Sequence, residues 1–562
     1  MIRLQMSKKQ TVFLAATVLV VALLFAALYL TRPAAELTPE TTAQEDVGID
    51  PLFSDMIALI EKQKQADEML LEELHSGAYS FDDPLVVVDP YGFSPLAALA
   101  LFTSGEPLNI TVHVSGKTEH AGAEFTFDGY NTEHMIPIYG LYPEARNRVT
   151  LTAETLSGSV RSVVLSVQTD PLPPELEKNI ILTDLAQPGS YQPGFNYTFT
   201  QKSAFDINGE YRWFLNDFMM RPATIYDYNG NMIMAKGSYF EGDLLFFEIN
   251  ALGKIFSVYY SPYGVHHDVA AAGGGNLLAN GSRGMAQLDF IYEIDVRSGE
   301  ITNTLDLKEI LQRTRASNLP EYLADDWFHH NATVYDKGSI IVSGRHQSAV
   351  AKLSWPEGRL EWILSDHSGW NQMFHKYLLT PIGDGFEWSY CQHSPEILPD
   401  FDDDPDTIDI LLFDNGSARF EINEELRRAI ANGEIVDPEP YSRMVHYRIN
   451  EKAKTIEQIW QFGKELGGAY YSYGRSDANL LENGNRLGTF DRYDANNSDS
   501  GTSLVEADAR GNVVWEAYAT SNDATGSFGP YRIERRPLYT PAANDLRIGA
   551  EVRNFIPEEK LR

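Results

Sequence analysis

The chain has 562 residues, too many for one hydrophobic core, so two or more domains are expected. Its formal net charge of −34 argues against nucleic acid and anionic membrane surfaces as partners, and any anionic substrate must be held by a local cluster of cationic or donor groups. The 29 Tyr, 28 Phe and 8 Trp, with 42 Gly and 28 Pro, mark a folded, turn-rich protein, and the single cysteine, Cys391, excludes an intrachain disulfide without deciding the redox compartment.

In chain order, residues 11–30 (TVFLAATVLVVALLFAALYL) form an uncharged apolar run of membrane-spanning length behind Arg3, Lys8 and Lys9. The run is long for the apolar core of a signal peptide and lacks a small-x-small cleavage site. An uncleaved anchor over residues 1–31 is therefore expected in preference to a cleaved signal peptide. The rest of the chain would then lie on the periplasmic or extracytoplasmic face, anchored to the inner membrane. Residues 32–83 read as a linker (ELTPETTAQEDVG) with a helical segment over 51–76 that serves as spacer or docking helix. Over 84–172 the pattern changes to short alternating strands (LNITVHVSG, AEFTFDG, HMIPIYGLYP, NRVTLTAET, SVRSVVLSVQT), which predicts a small β-sandwich domain.

After the proline-rich joint DPLPPEL the chain repeats itself, over 173–562. One unit is a turn feeding a strand with a tryptophan: NGEYRWFL, EGRLEWIL, RGNVVWEA. The other carries histidine: GVHHDVAAAGGGNLLANGSRG, FHHNATVYDKGSIIVSGRHQ, and CQHSPEILPDFDDDPDTIDILLFDNGSAR. The first histidines of the three, His266, His329 and His393, are spaced 63 and 64 residues apart, and a fainter copy has Ser476 at that place. Repeats of four strands predict a β-propeller, whose innermost strands line a central channel, so that histidines distant in sequence converge at one mouth. The fold expected is all-β: a six-bladed propeller behind a small sandwich and an N-terminal transmembrane or signal segment.

One such histidine, alone, is most simply a turn-satisfying residue; three in register with nearby arginines describe a site. A three-histidine metal centre at His266, His329 and His393 is the rival reading, but no HExxH is present, and the accompanying Arg and Asn suit an anion better than a cation. The acidic run 400–409 lacks the glycine and final glutamate of an EF-hand loop. These positions hold no P-loop, no GxGxxG opening a helix and no GxSxG elbow. Tyr211, Arg212 and Trp213 read as blade packing.

The stretch DWFHHNATVYDKGSIIVSGRHQSAVAKLSW, with WILSDHSGW at 362–370 and WSYCQHS at 388–394, resembles the bacterial arylsulfate sulfotransferases, which work without a nucleotide donor. PLNITVHVSGK and HMIPIYGLYPEARNRVTLTAE resemble that family's small sandwich, and GPYRIERRPLY its last blade; the resemblance covers residues 84 to 550. It implies an enzyme that moves a sulfuryl group from an aryl sulfate to a phenol by a ping-pong route through a sulfohistidine, with no cofactor and no metal. The nucleophile matches His393, the sulfate-binding His-x-Asn matches His329 and Asn331, and the arginine after the next strand matches Arg345. A further histidine matches His266, with His267 as the alternative, and a family threonine corresponds to Ser476. Small-molecule donor and acceptor are the partners implied; a homodimer is compatible. The chain departs from the family in leaving Cys391 unpaired beside the nucleophile and in carrying an apparent anchor.

The chemistry asks for these residue types. Sulfuryl transfer resembles phosphoryl transfer, a loose in-line displacement with charge on three equatorial oxygens. A neutral imidazole is a competent nucleophile near pH 7, and Arg345 offers a permanent charge in a fork that matches oxyanions. Two other classes fit the same residues: a propeller that binds an anionic ligand without chemistry, and an aryl sulfatase. The absence of Cys-x-Pro-x-Arg disfavours a formylglycine sulfatase.

Overall fold

The computed structural model describes residues 50–177, 179–185, 189–198, 202–216, 226–237, 242–282, 284, 289–312, 326–419, 439–492, 501–521 and 531–561. The apolar run 11–30 and the linker before residue 50 lie outside them; among the described residues no helix is long and apolar enough to cross a membrane.

The helical pattern near the start folds as a 25-residue helix, Pro51–His75, with Pro51 at its first position. Asp50 caps it, its carboxylate accepting the Leu52 N–H at 2.8 Å. The stripe Phe53, Met56, Leu59, Leu70 and Leu74 is buried. On the same face Gln63 exchanges two hydrogen bonds with the backbone of Ile255, at 2.8 and 2.6 Å. Asp67 pairs with Lys254 and accepts the Tyr91 hydroxyl at 2.7 Å. The helix is therefore a clasp, joining the strand-rich segment around Tyr91 to the repeat region at residues 254–255.

The five strand patterns expected between residues 108 and 169 all form in one six-stranded sheet, the first of them as the second half of a longer strand, and one further strand, Leu85–Val88, precedes them. Its spine is the 17-residue strand Ala98–Val114. The first part, 98–103, pairs with Leu85–Val88 and Asn131–Ile138, while the last part, 108–114, pairs with Ala123–Thr126 and Arg146–Thr155. The register breaks between Thr103 and Leu108, around Gly105 and Pro107, so one strand serves both ends of the sheet. In Leu108–Val114 buried and half-buried residues alternate, as a strand with one covered face requires.

Among the described residues the repeats form six further sheets of four or five strands. In chain order their four-strand cores begin at Phe195, Tyr226, Gly264, His330, His393 and Asp477, except that the first has three strands of its own among the described residues. Its fourth place is taken by Ile533–Arg536, which pairs with Phe195–Thr198. The sixth sheet is likewise completed from far away, by Asn179–Leu185 against Val513–Ser521. Apolar residues pack between successive sheets with the period of a strand. In Ser339–Gly344, Ile340 and Val342 join the core shared with the third sheet, and Ile341 joins the one shared with the fifth.

The repeated tryptophans explain the tryptophan unit. Trp213, Trp362 and Trp515 are fully buried, and each indole N–H reaches the last turn of the next sheet. Trp213 donates to the Ala251 carbonyl at 2.9 Å, Trp362 to Glu451 Oε1 at 2.6 Å, and Trp515 to the Ile207 carbonyl at 3.0 Å, from the sixth sheet back to the first.

Candidate active site

The strands Gly264–Ala271, His330–Asp336 and His393–Ile397, the first of the third, fourth and fifth sheets, are irregular at their starts. Their registers shift between Val265 and Val269, His330 and Ala332, and His393 and Glu396. His267, His329 and Ser394 hold left-handed backbone there, with φ of 52°, 51° and 51°. Such bulges re-aim side chains, and non-glycine residues in this region are held there by their surroundings. The result is a cluster of rings. His267 lies 4.8 Å from His329 and 5.5 Å from Tyr531, and Tyr531 lies 5.9 Å from His393, centroid to centroid.

The shared left-handed position thus belongs to His267 and His329. By backbone conformation His267 rather than His266 matches His329, while in the fifth sheet that place falls on Ser394, with His393 just before it. His266 is completely buried, its Nε2 donating to the Gly281 carbonyl at 3.0 Å. Burial pushes its pKa down to about 3, so its Nδ1 is left to accept, and the Nδ1–H of His267 donates to it at 2.8 Å. His266 orients; His267 is the ring that faces His329.

His393 is 1 % exposed, and its Nδ1 sits 2.6 Å from Oδ1 of Asn415. The Asn415 amide nitrogen is committed to the carbonyls of Ser472 (3.0 Å) and Arg475 (2.9 Å), so its oxygen must face the ring. An amide oxygen only accepts. His393 therefore carries its proton on Nδ1 and its lone pair on Nε2. Burial, helped by the charges of Arg345 and Arg532, lowers its pKa to about 3 against the opposing Asn415 bond, which keeps the ring neutral. The segment before it is pinned without a disulfide. The Gln392 amide donates to Ser343 Oγ (3.1 Å) and to the carbonyls of Gly344 (3.3 Å) and Ala349 (3.0 Å), and the Cys391 N–H donates to Ser348 Oγ at 3.1 Å.

Arg345 follows the strand Ser339–Gly344, with its N–H on the His329 carbonyl at 3.2 Å and its guanidinium 5.2 Å above the Tyr473 ring. Its Nη1 donates to His346 Nε2 at 3.0 Å, which obliges His346 to carry its proton on Nδ1 and donate it to the Asp326 carbonyl at 2.6 Å. His329 Nδ1 faces Asp326 Oδ2 at 2.5 Å. Asp326, His329 and His346 present three potential metal ligands within 4.8 Å of one another. Both ring nitrogens of His346 are already engaged, however, and Arg345 puts a fixed positive charge beside the cluster, so the donor set does not fit a cation.

Asn331 is fully buried and spends an amide N–H on the Gln392 carbonyl at 2.8 Å, tying the fourth sheet to the segment that carries His393. Ser476 is brought near, its carbonyl accepting from Ser394 Oγ at 3.3 Å. Its hydroxyl is turned away, onto Ser472 Oγ (2.6 Å) and the Asp491 N–H (3.3 Å). A second arginine, absent from the sequence-based set, joins the cluster: Arg532 pairs with Asp268 at 3.0 Å and donates to the Asn331 carbonyl at 3.0 Å. Asn415 and Asp326 were also missed. The signal for Asn415 was present, since Asn-Gly-Ser recurs at 280–282 and 415–417; nothing marks Asp326 beyond its place three residues before His329.

Residues 173–532 match the family described as Arylsulfotransferase (ASST), and residues 85–170 match the Arylsulfotransferase Ig-like domain. The chain belongs to the arylsulfotransferase family. The arylsulfate sulfotransferases AssT of Lelliottia amnigena and Escherichia coli O6:H1 are each 26% identical to it, over 69% of this chain and 81% of the relative. Among solved structures, a putative 6-phosphogluconolactonase from Bacteroides fragilis aligns at 10% identity with a TM-score of 0.31, over 76% of this chain and 98% of that one, a likeness too distant to bear on function. Membership makes this arylsulfotransferase a transferase of sulfuryl groups.

Proposed function

We propose that this protein takes the sulfuryl group of a phenolic sulfate ester onto Nε2 of His393 and passes it to a second phenol, by a ping-pong route without a nucleotide. The observation that carries this reading is the His393–Asn415 contact at 2.6 Å, which fixes a neutral ring with its lone pair on Nε2. In the first step that lone pair forms the N–S bond as the ester O–S bond breaks, and the electron pair leaves on the phenolate oxygen. In the second, a phenol oxygen attacks sulfur and the N–S pair returns to Nε2. Arg345 and Arg532 supply positive charge beside the ring, where the three sulfuryl oxygens gather charge, and oriented donors of this kind are each worth on the order of 2.7–4 kcal/mol. They also answer the charge problem, since a chain of net charge −34 still sets two arginines beside the ring for the anion.

We read the six sheets as six blades around this cluster, the sandwich as a separate 84–172 domain, and residues 11–30 as an inner-membrane anchor that leaves the site on the extracytoplasmic face. Incubation of the protein with an aryl sulfate and a second phenol, with identification of the products, tests the function. Sulfation of the second phenol is expected. Release of inorganic sulfate unaffected by the acceptor would make it a sulfatase, and no release of phenol at all would make it a binding protein.

A further inference from the structure

Given that reading, we propose that Asp326 is the positioning residue of an acid–base unit with His329, which delivers a proton to the departing phenolate and takes one from the incoming phenol. The geometry carries this. Asp326 Oδ2 meets His329 Nδ1 at 2.5 Å, which turns the opposite ring nitrogen away from the carboxyl. The His329 side chain is 20% exposed, whereas His266 and His330 are fully buried, so His329 and the half-buried His267 are the rings open to a phenolic oxygen, and His329 is the one that carries a carboxyl. Asp326 is itself 6% exposed, and its other oxygen, Oδ1, is buried with no hydrogen-bond partner among the described residues. A carboxylate so placed is costly to ionise, and a shared proton relieves that cost.

The groups facing the unit are few. Asp326 sees His329, His346, Arg345 and, behind Trp327, Asp289, which is paired with Lys308 at 3.3 Å. His329 sees His267, His346, Arg345 and His393. Burial raises the Asp326 pKa to about 8, with Arg345 opposing and Asp289 assisting, while burial and the cationic neighbours push His329 well below its usual value. Near neutral pH the unit therefore holds its proton as a carboxylic acid against a neutral imidazole.

The proton balance closes over one cycle. As the ester O–S bond breaks, the Nε2–H of His329 passes to the phenolate oxygen and the Asp326 proton moves to Nδ1, leaving a carboxylate against a neutral ring. When the second phenol attacks, its proton goes to Nε2 and the Nδ1 proton returns to Asp326. No co-reactant is needed. The His329 ring touches substrate; Asp326 acts through it, setting the tautomer and storing the proton.

Two donors distinguish this from a structural role. In single turnovers, Asp326→Asn should slow phenol release from phenyl sulfate by about 100-fold or more, since the poor leaving group needs the proton. The acidic leaving group of 4-nitrophenyl sulfate should limit its loss to less than about 10-fold. Because both donors are measured on one preparation, any unfolded fraction cancels in the ratio. The wild-type rate with phenyl sulfate should also fall as pH rises through about 8, where the stored proton is lost, and this limb should vanish in Asp326→Asn. Equal losses with both donors, or no loss with either, would overturn the proposal while leaving sulfuryl transfer intact. A wild-type protein that released phenol from neither donor would overturn the sulfuryl-transfer reading, and this inference with it.

Discussion

In the proposed transfer, His393 owes its role as nucleophile to what surrounds it rather than to its own chemistry. Burial keeps the ring uncharged, and Asn415 decides which nitrogen is free. Arg345, which bonds His346 and lies over Tyr473, has in that transfer the complementary task of meeting the anion. Lysine at this position would keep the charge and lose the fork, so Arg345→Lys should reduce transfer by about 10- to 100-fold, or about 1.4–3 kcal/mol, in steady-state kinetics. Unchanged kinetics would mean that charge alone suffices. His329, Arg345 and His393 were legible because they recur beside apolar strands at near-constant spacing. Asp268 and Arg532 were not, because they meet through partners far away in sequence: Arg532 touches Asp268 and Asn331 across the first, third and fourth sheets. His267 was legible only as an alternative, since the bulge that turns it inward has no sequence mark.

The element that recurs most faithfully is the tryptophan-bearing fourth strand. Its indole closes a hydrogen bond to the turn of the following sheet, and the three copies read from sequence as blade packing prove to be ties between sheets. Trp515→Phe keeps most of the buried ring but leaves the Ile207 carbonyl without its donor. It should lower unfolding free energy by about 1–3 kcal/mol in a denaturant titration. A variant as stable as the parent would make these contacts incidental. The tryptophan period was visible; the direction in which each indole reaches was not, because it depends on how successive sheets stack.

Across the whole molecule, the two distant additions, Asn179–Leu185 to the sixth sheet and Ile533–Arg536 to the first, make the fold depend on segments more than 300 residues apart in the chain. Arg535 links both sheets: it is buried against Glu506 and bonds Asn196 Oδ1 at 2.9 Å. Tyr531 and Arg532 immediately precede this C-terminal strand, so the segment that completes the first sheet also carries two residues of the candidate site. Sequence reading located the repeats and their family but could not see this exchange, since pairing partners at such distances leave no local pattern. The N-terminal run belongs to this scale too. If residues 11–30 anchor the chain, the full-length protein should sediment with membranes and retain its first 30 residues, and a mature N-terminus near residue 34 would contradict that.

The central claim is that His393 carries the sulfuryl group between donor and acceptor. Mixing the enzyme with excess aryl sulfate and no phenol should release a burst of about one phenol per site. The protein should gain the mass of one SO₃ group on the peptide around Cys391–His393, and added phenol should discharge it. His393→Ala should give neither burst nor adduct and should lose at least about three orders of magnitude in transfer. Direct transfer in a ternary complex, with no burst, no adduct and intersecting double-reciprocal lines from the wild-type enzyme, would contradict the account.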